Sequence, residues 1–516
     1  MGQLLEIYQA MLGSFPSFFG ALFSLEMVIA LLVGVVGGLI IGALPGLNAT
    51  TGIVLLMPIT YTMSPIPALT MLMALYTAGI MGGSYSSILI NTPGTSSSVA
   101  TLFDGYPMTQ KGQALKALNT SIFSSVLGGV ISALALLLIS PLLARIALFF
   151  DSSEYFLLGV FGLSLVASLS ENGLCKGFGI GCLGLLVGCV GLAPLSSTAR
   201  YYFGSDLLYD GFNTTVVIIG CFSIAQVMVM INDAKKKSTQ TKTEYAELKG
   251  KKFLSWAEIK RIIPTCITSS IIGIGVGILP GAGAATGSYI AYSNAKSASK
   301  HPEEFGTGCI EGVAAPEAAN NAVTGSALIP LLTLSIPGST AASVLLGALM
   351  IQGLQPGFSL FTKQANIIFP IILGFLVANI IMLPIGLAFA RVAGNIIKIP
   401  NAILAPVITV LAVLGSYCIR IRVFDIFVVV GFGLIGYFMK KAKYAPGAFT
   451  LGLILGSMCE TGLRRSFALA SGFDGSIMKY YFSRPQCIIL MILIIFNMTA
   501  PLRKKMKEKK AQKAAA

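Results

Sequence analysis

Long, unbroken apolar runs dominate the chain, and its polar positions gather between those runs instead of alternating with them. A membrane-spanning helix needs about 20 mostly apolar residues. Runs of that order occupy residues 25–44, 67–90, 119–143, 155–170, 177–194, 214–232, 263–280, 367–390, 402–418, 424–439 and 486–500. A membrane β-barrel would alternate apolar and polar residues in segments of about ten. The continuous runs therefore predict an all-α polytopic membrane protein with about 10 to 14 membrane elements, re-entrant or broken helices among them. Leu4 to Phe19 reads as an amphipathic helix lying in the membrane interface.

The breaks in the apolar pattern recur. Gly42-Ala-Leu-Pro45-Gly46 returns as Gly277-Ile-Leu-Pro280-Gly281, and Thr51-Gly52 returns as Thr286-Gly287, at an offset of 235 residues. Asn91-Thr92-Pro93-Gly94-Thr95-Ser96 corresponds to Ser335-Ile336-Pro337-Gly338-Ser339-Thr340, at an offset of 244. Two matched Pro-Gly elements in the same order predict two structural repeats. The implied organisation is an interfacial helix (1–20), a first transmembrane repeat (21–232), a basic linker (233–262), a second repeat (263–440), C-terminal transmembrane helices (441–500) and a basic tail (501–516). Matched Gly/Pro-broken helices in two halves point to a transport site near the bilayer midplane.

Composition supports this picture. Hydrophobic residues make up 55% of the chain and charged residues 11%, against about a quarter charged in soluble domains. The net charge is +15, but it is concentrated. Residues 233–261 hold nine Lys/Arg against four acids, and residues 503–513 hold seven against one. Positive-inside topology accounts for both segments if they are cytoplasmic, with no need for nucleic acid. No basic residue precedes Lys111, so the N-terminus does not read as a cleavable signal. Cys175, Cys182 and Cys189 fall on one helix face and read as small packing residues. Gly179-Ile-Gly181-Cys-Leu-Gly184 spells a dinucleotide fingerprint, but no β-strand precedes it, and no phosphate-binding P-loop occurs. No catalytic set is evident, and the lone His301 receives no role.

Three constellations carry candidate chemistry. In Pro45–Gly52, Asn48, Thr50 and Thr51 can satisfy backbone groups freed by the break, or offer oxygens to Na⁺. The second copy supplies Gly281, Gly283 and Thr286, with close helix packing as the plainer reading. At the tips, Asn91, Thr92, Pro93, Gly94, Thr95 and Ser96, and likewise Pro337, Gly338, Ser339 and Thr340, turn the chain into a capped helix start. Such a start binds a carboxylate without a cationic side chain, and two opposed tips would grip two carboxylates. The third is Glu317 with Asn320 and Asn321 on one helical face. Pro316 suits the first helical position and would place Glu317 in the first turn. Glu317 then either binds Na⁺ or a proton, or merely complements a helix start at the interface. Asn48, Thr51 and Glu317 are the Na⁺ ligands so suggested. Counting from the tips, Asn320-Asn321 aligns with Tyr76-Thr77.

Gly42–Gly52, Tyr76–Gly94, Pro280–Gly287 and Glu311–Ala322 resemble the large membrane subunit of the tripartite tricarboxylate transporters, the TctA family. The likeness runs from about residue 20 to 500. It implies a permease of the bacterial inner membrane that works with a small four-helix membrane subunit and a periplasmic solute-binding protein. It also implies uptake driven by an ion gradient, commonly Na⁺, with no further cofactor, and an elevator-like motion of the core. A citrate-like trianion moving inward against 100 mV faces roughly 7 kcal/mol, which Na⁺ or H⁺ co-transport would offset. The expected function is cation-coupled import of di- and tricarboxylates. The alternatives are a carrier for another anion or a neutral solute, or a passive channel.

Overall fold

The computed structural model describes residues 2–146, 149–168, 174–196, 198–237, 254–279, 283–397, 399–472 and 476–499. The described residues are overwhelmingly helical. In chain order the helices are α1 (Gly2–Leu22), α2 (Leu25–Ala43), α3 (Ala49–Leu56), α4 (Pro65–Ile90), α5 (Val99–Gln110), α6 (Ala114–Ile146), α7 (Ser152–Ser168), α8 (Leu174–Gly188), α9 (Thr214–Ile219) and α10 (Ala225–Lys237). They continue with α11 (Trp256–Ile278), α12 (Gly283–Ala298), α13 (Ile310–Ser326), α14 (Leu328–Leu334), α15 (Thr340–Ile351), α16 (Phe358–Thr362) and α17 (Ala365–Ala390). The series closes with α18 (Ala393–Ile396), α19 (Asn401–Arg420), α20 (Val423–Lys441), α21 (Pro446–Ser471), α22 (Ile477–Phe482) and α23 (Pro485–Met498). Eight helices among the described residues are long and apolar enough to cross a membrane. Each apolar run read from the sequence lies mainly on helix among the described residues, although the run 177–194 passes beyond the end of α8 at Gly188 into the strand Gly191–Leu192.

The chain divides into two compact units, each assembled from two separate stretches: Met1–Arg145 with Phe222–Ile421, and Ile146–Cys221 with Arg422–Ala516. The linker residues 238–253, Pro280 with Gly281, and the tail from 500 onward lie outside the described residues.

In the first unit, two helix pairs form the frame, α2 with α4 and α11 with α13. Glycine makes both possible. A Cβ at Gly34 would come 2.5 Å from Met71 O, one at Gly38 would come 2.7 Å from Leu75 O, and one at Gly42 would run into Gly79 O. Spaced four apart, these glycines form one stripe along α2. On α11, Gly273 meets Ala319 O of α13 in the same manner, while Gly277 leaves room for the Ser326 side chain. The N-terminal helix α1 buries Ile7, Met11, Ser14 and Phe18, one face at helical spacing, and packs on α17.

The two tips share their backbone. Helix α4 ends at Asn91 and α14 at Ser335, both left-handed (φ 53° and 59°), 244 residues apart. The chain then folds back, so that Gly94 packs on Gly42 O and Gly83, and Gly338 packs on Gly277 O and Ala327. From each tip a new helix starts: a 3₁₀ turn at Ser96–Ser98 runs directly into α5, and Ser339 caps α15 through the N–H of Ala342 (3.1 Å).

The second unit is held by α21, which packs against α7 and α8. Gly184 meets Phe449 O, and Gly452 meets Gly181 O, so the glycine-rich stretch of α8 is a helix-packing surface. A two-stranded hairpin pairs Gly191–Leu192 with Ala199–Arg200. Arg200 grips Glu460 of α21 in a two-pronged ion pair (2.7 and 2.9 Å), and Arg464 joins it (2.9 Å).

A buried polar core around Glu317

Helix α13 starts six residues earlier than Pro316 suggests. Pro316 sits inside the helix, and Glu317 is a mid-helix residue with no exposure. The reason is tertiary. Cys309 at the helix start provides no side-chain cap. The cap comes instead from Asp104 of α5, whose Oδ1 accepts from the backbone N–H groups of Gly306 (2.9 Å), Gly308 (2.8 Å) and Cys309 (2.9 Å). Tyr292 OH donates to its Oδ2 (2.9 Å). The turn that aims those amides inward has positive φ at Gly306 (90°) and Gly308 (108°), which glycine adopts without strain. Asp104 escaped the motif reading, although it is the one charged residue between Glu26 and Lys111.

One face of α13 is polar and buried throughout. The Glu317 carboxylate accepts from three hydroxyls: Thr101 on α5 (2.5 Å), and Ser121 (3.2 Å) and Ser125 (2.9 Å) on α6. Ser121 also shares a hydrogen bond with Ser84 of α4 (2.6 Å). One turn on, Asn321 Nδ2 donates to Ser125 O (2.8 Å), while Thr77 of α4 donates to Asn321 Oδ1 (3.1 Å) and to Asn379 Oδ1 of α17 (2.8 Å). Thr77 and Asn321, the positions aligned by counting from the tips, thus touch each other. Each tip packs six residues further along its own helix, at Gly83 and at Ala327, about 9 Å on at helical rise. Lys and Arg take no part in these contacts. Charge-assisted bonds from hydroxyls stabilise a buried carboxylate by about 1.5–3 kcal/mol each, against a desolvation cost of several kcal/mol.

The remaining candidate residues occupy distinct places. Asn48 is exposed and caps α3, accepting at Oδ1 from Thr51 N–H (2.9 Å) and Thr51 Oγ1 (3.2 Å). Thr50 and Thr51 are buried. Glu317 bonds to α5 and α6, and Asn48 bonds within its own turn. Gly281 lies outside the described residues; Gly283 has φ 69° at the start of α12, which carries Thr286. At the first tip Asn91, Thr92, Pro93 and Ser96 are exposed while Gly94 and Thr95 are buried; at the second, Pro337 and Gly338 are buried, Ser339 is half-buried and Thr340 is exposed. Tyr76 OH bonds Ser339 Oγ (3.1 Å). Asn320 is fully buried.

Comparison with known proteins identifies relatives of the chain. The family model "Tripartite tricarboxylate transporter TctA family" matches residues 28–451. An uncharacterized 52.8 kDa protein in the TAR-I ttuC' 3' region of Agrobacterium vitis is 37% identical over 440 residues, covering 85% of this chain and 87% of that protein. A second Agrobacterium vitis protein, from the TAR-II ttuC' 3' region, is 36% identical over 197 residues, covering 38% of this chain and 81% of its own length. No solved structure matches the chain.

Proposed function

The chain belongs to the tripartite tricarboxylate transporter TctA family, and from that premise we propose that it is a permease subunit that imports small di- or tricarboxylates by secondary transport coupled to Na⁺ or H⁺. In this reading it lies in the bacterial inner membrane with a cytoplasmic C-terminus. It receives its substrate from a periplasmic solute-binding protein and works beside a small four-helix membrane subunit.

The observation that carries the reading is the chemistry of the first unit's core. It contains helix starts at two Pro-Gly tips, a buried acid and amide-hydroxyl network, and no cationic side chain in those contacts. Helix starts present N–H groups that accept an anion without Lys or Arg. The charge carried inward must then be offset by a co-transported cation, and Glu317 with Thr101, Ser121 and Ser125 supplies oxygens for a Na⁺ or an acceptor for a proton. Hydroxyls suit this exchange, because each can switch from donating to accepting. The matching tip backbones, and the contact between Thr77 and Asn321, support two repeats related about that contact.

Reconstitution tests the reading. Proteoliposomes holding the chain and its small subunit, supplied with the binding protein, should accumulate labelled citrate or succinate when a Na⁺ or pH gradient is imposed. Uptake should saturate and stop when both gradients collapse. Non-saturating flux independent of either gradient would make the protein a channel. Gradient-driven uptake of some other solute, with none of either carboxylate, would reassign the substrate.

A further inference from the structure

An open groove of about 650 Å³ lies in the second unit. Residues 206–210 of the loop before α9 form one wall, and Arg422 with the first residues of α20 forms the other. Arg422 pairs with Asp210 (2.9 Å), and both side chains stay half-exposed. Asp206 is exposed and forms no ion pair among the described residues. Leu207, Val423 and Phe424 supply apolar lining. The groove thus combines two carboxylates, one guanidinium and an apolar side.

Helix length sets its depth. Helix α20 has 19 residues, about 28 Å at helical rise, which matches a hydrocarbon core of about 30 Å. Lys440 and Lys441 in its last turn mark one membrane surface, so Arg422, just before its first turn, marks the other. The span Thr214–Asn232 leads from the loop into the basic linker. Positive-inside topology makes the linker cytoplasmic and the groove external. Tyr201, Tyr202 and Phe203 are exposed on the same loop, as aromatic residues at headgroup depth are, and Tyr202 meets Tyr209 of the groove wall edge to face (6.1 Å). Helix α20 has two faces. Val429, Phe432 and Gly433 are turned to Phe212 and Gly220. Val423, Phe427, Val430, Leu434 and Phe438 form an exposed apolar stripe at helical spacing, which begins in the groove and runs toward the opposite surface.

We propose that this groove holds the headgroup of an outer-leaflet phospholipid that carries a primary ammonium, as phosphatidylethanolamine does, with its acyl chains laid along the α20 stripe. Arg422 donates to the phosphate with the N–H groups that Asp210 leaves free. Asp206 accepts from the ammonium. Two carboxylates beside one guanidinium disfavour a headgroup that has a phosphate and no cation. The site is independent of what the chain transports and needs only that α20 crosses the bilayer.

Native mass spectrometry of the full chain, delipidated in detergent and given equal amounts of phosphatidylethanolamine and phosphatidylglycerol, tests it. Wild type should retain the first over the second by about fivefold, the discrimination that an exposed charge pair allows. Arg422→Ala should lower retention of phosphatidylethanolamine by about fivefold, and Arg422→Lys should restore most of it. Asp206→Asn should erase the preference, and Asp206→Lys should reverse it in favour of phosphatidylglycerol. None should lower the melting temperature, because exposed charges contribute little to stability; if Arg422→Ala does melt low, the two Asp206 variants carry the test. Equal retention of both lipids by wild type, or a preference that survives both Asp206 substitutions, overturns the site. So does a loss of binding-protein-dependent uptake in Arg422→Ala or Asp206→Lys with lipid retention unchanged, which would make the groove a docking surface for a protein.

Discussion

Asp104 and Glu317 are both buried carboxylates without a cationic partner in their contacts, but they are held by different kinds of donor. Asp104 accepts three backbone amides and one phenol. Amides of a glycine turn cannot rotate away or reverse polarity, so this site admits an anion and nothing else. Glu317 accepts three side-chain hydroxyls. Hydroxyls rotate, and they accept as readily as they donate. That site tolerates a carboxylate, a carboxylic acid or a carboxylate with a cation beside it. One acid is held by donors that fix its state; the other is held by donors that would permit a change.

Substitutions sharpen the contrast, ordered here by expected loss of stability. Asp104→Asn keeps one oxygen for the three fixed N–H groups but removes the charge they surround and sets an NH2 against Tyr292 OH; it should cost about 3 kcal/mol, read as a large fall in melting temperature in detergent. Gly312→Ala places a Cβ on Asp104 Oδ2 and should cost about 1–3 kcal/mol by the same assay. Thr101→Val removes one donor from Glu317 and should cost about 1–2 kcal/mol; Thr101→Ser should restore both the stability and the ion dependence of uptake. Tyr292→Phe removes one of Asp104's four donors and should cost about 1 kcal/mol without changing transport. Glu317→Gln should cost least, under about 1 kcal/mol, because the hydroxyls can turn to accept from the new amide. Its gradient-driven uptake should nevertheless fall to background. If Glu317→Gln melts as low as Asp104→Asn while transport survives, the contrast is wrong.

The helices and their breaks were legible because they are local. Apolar length identifies a span, and Pro-Gly ends one, so the runs and both tips follow from neighbouring residues alone. Helix α21 lies within the C-terminal helices expected over 441–500, but no apolar run marks it, because Glu460, Arg464 and Arg465 interrupt its apolar character; two of these belong to a cluster with Arg200, 260 positions earlier than Glu460. Pro316 misled for a related reason: proline at a helix start is a local rule, while the cap on α13 arrives from α5. Glu317, Asn320 and Asn321 were found through their shared face. Thr101, Ser121 and Ser125 were not, since lone hydroxyls in apolar helices carry no motif and only folding gathers them.

The stripe of glycines on α2, and its counterpart on α11, has a mechanical consequence. Where main chain lies directly on main chain, as at Gly34, Gly38 and Gly42 of α2 and at Gly273 of α11, there is no cushion of side chains to slip, and sliding drives the next residue's Cβ into a carbonyl oxygen. Each pair therefore behaves as a single rigid strut. Any relative movement within the first unit would have to open along seams lined by side chains instead.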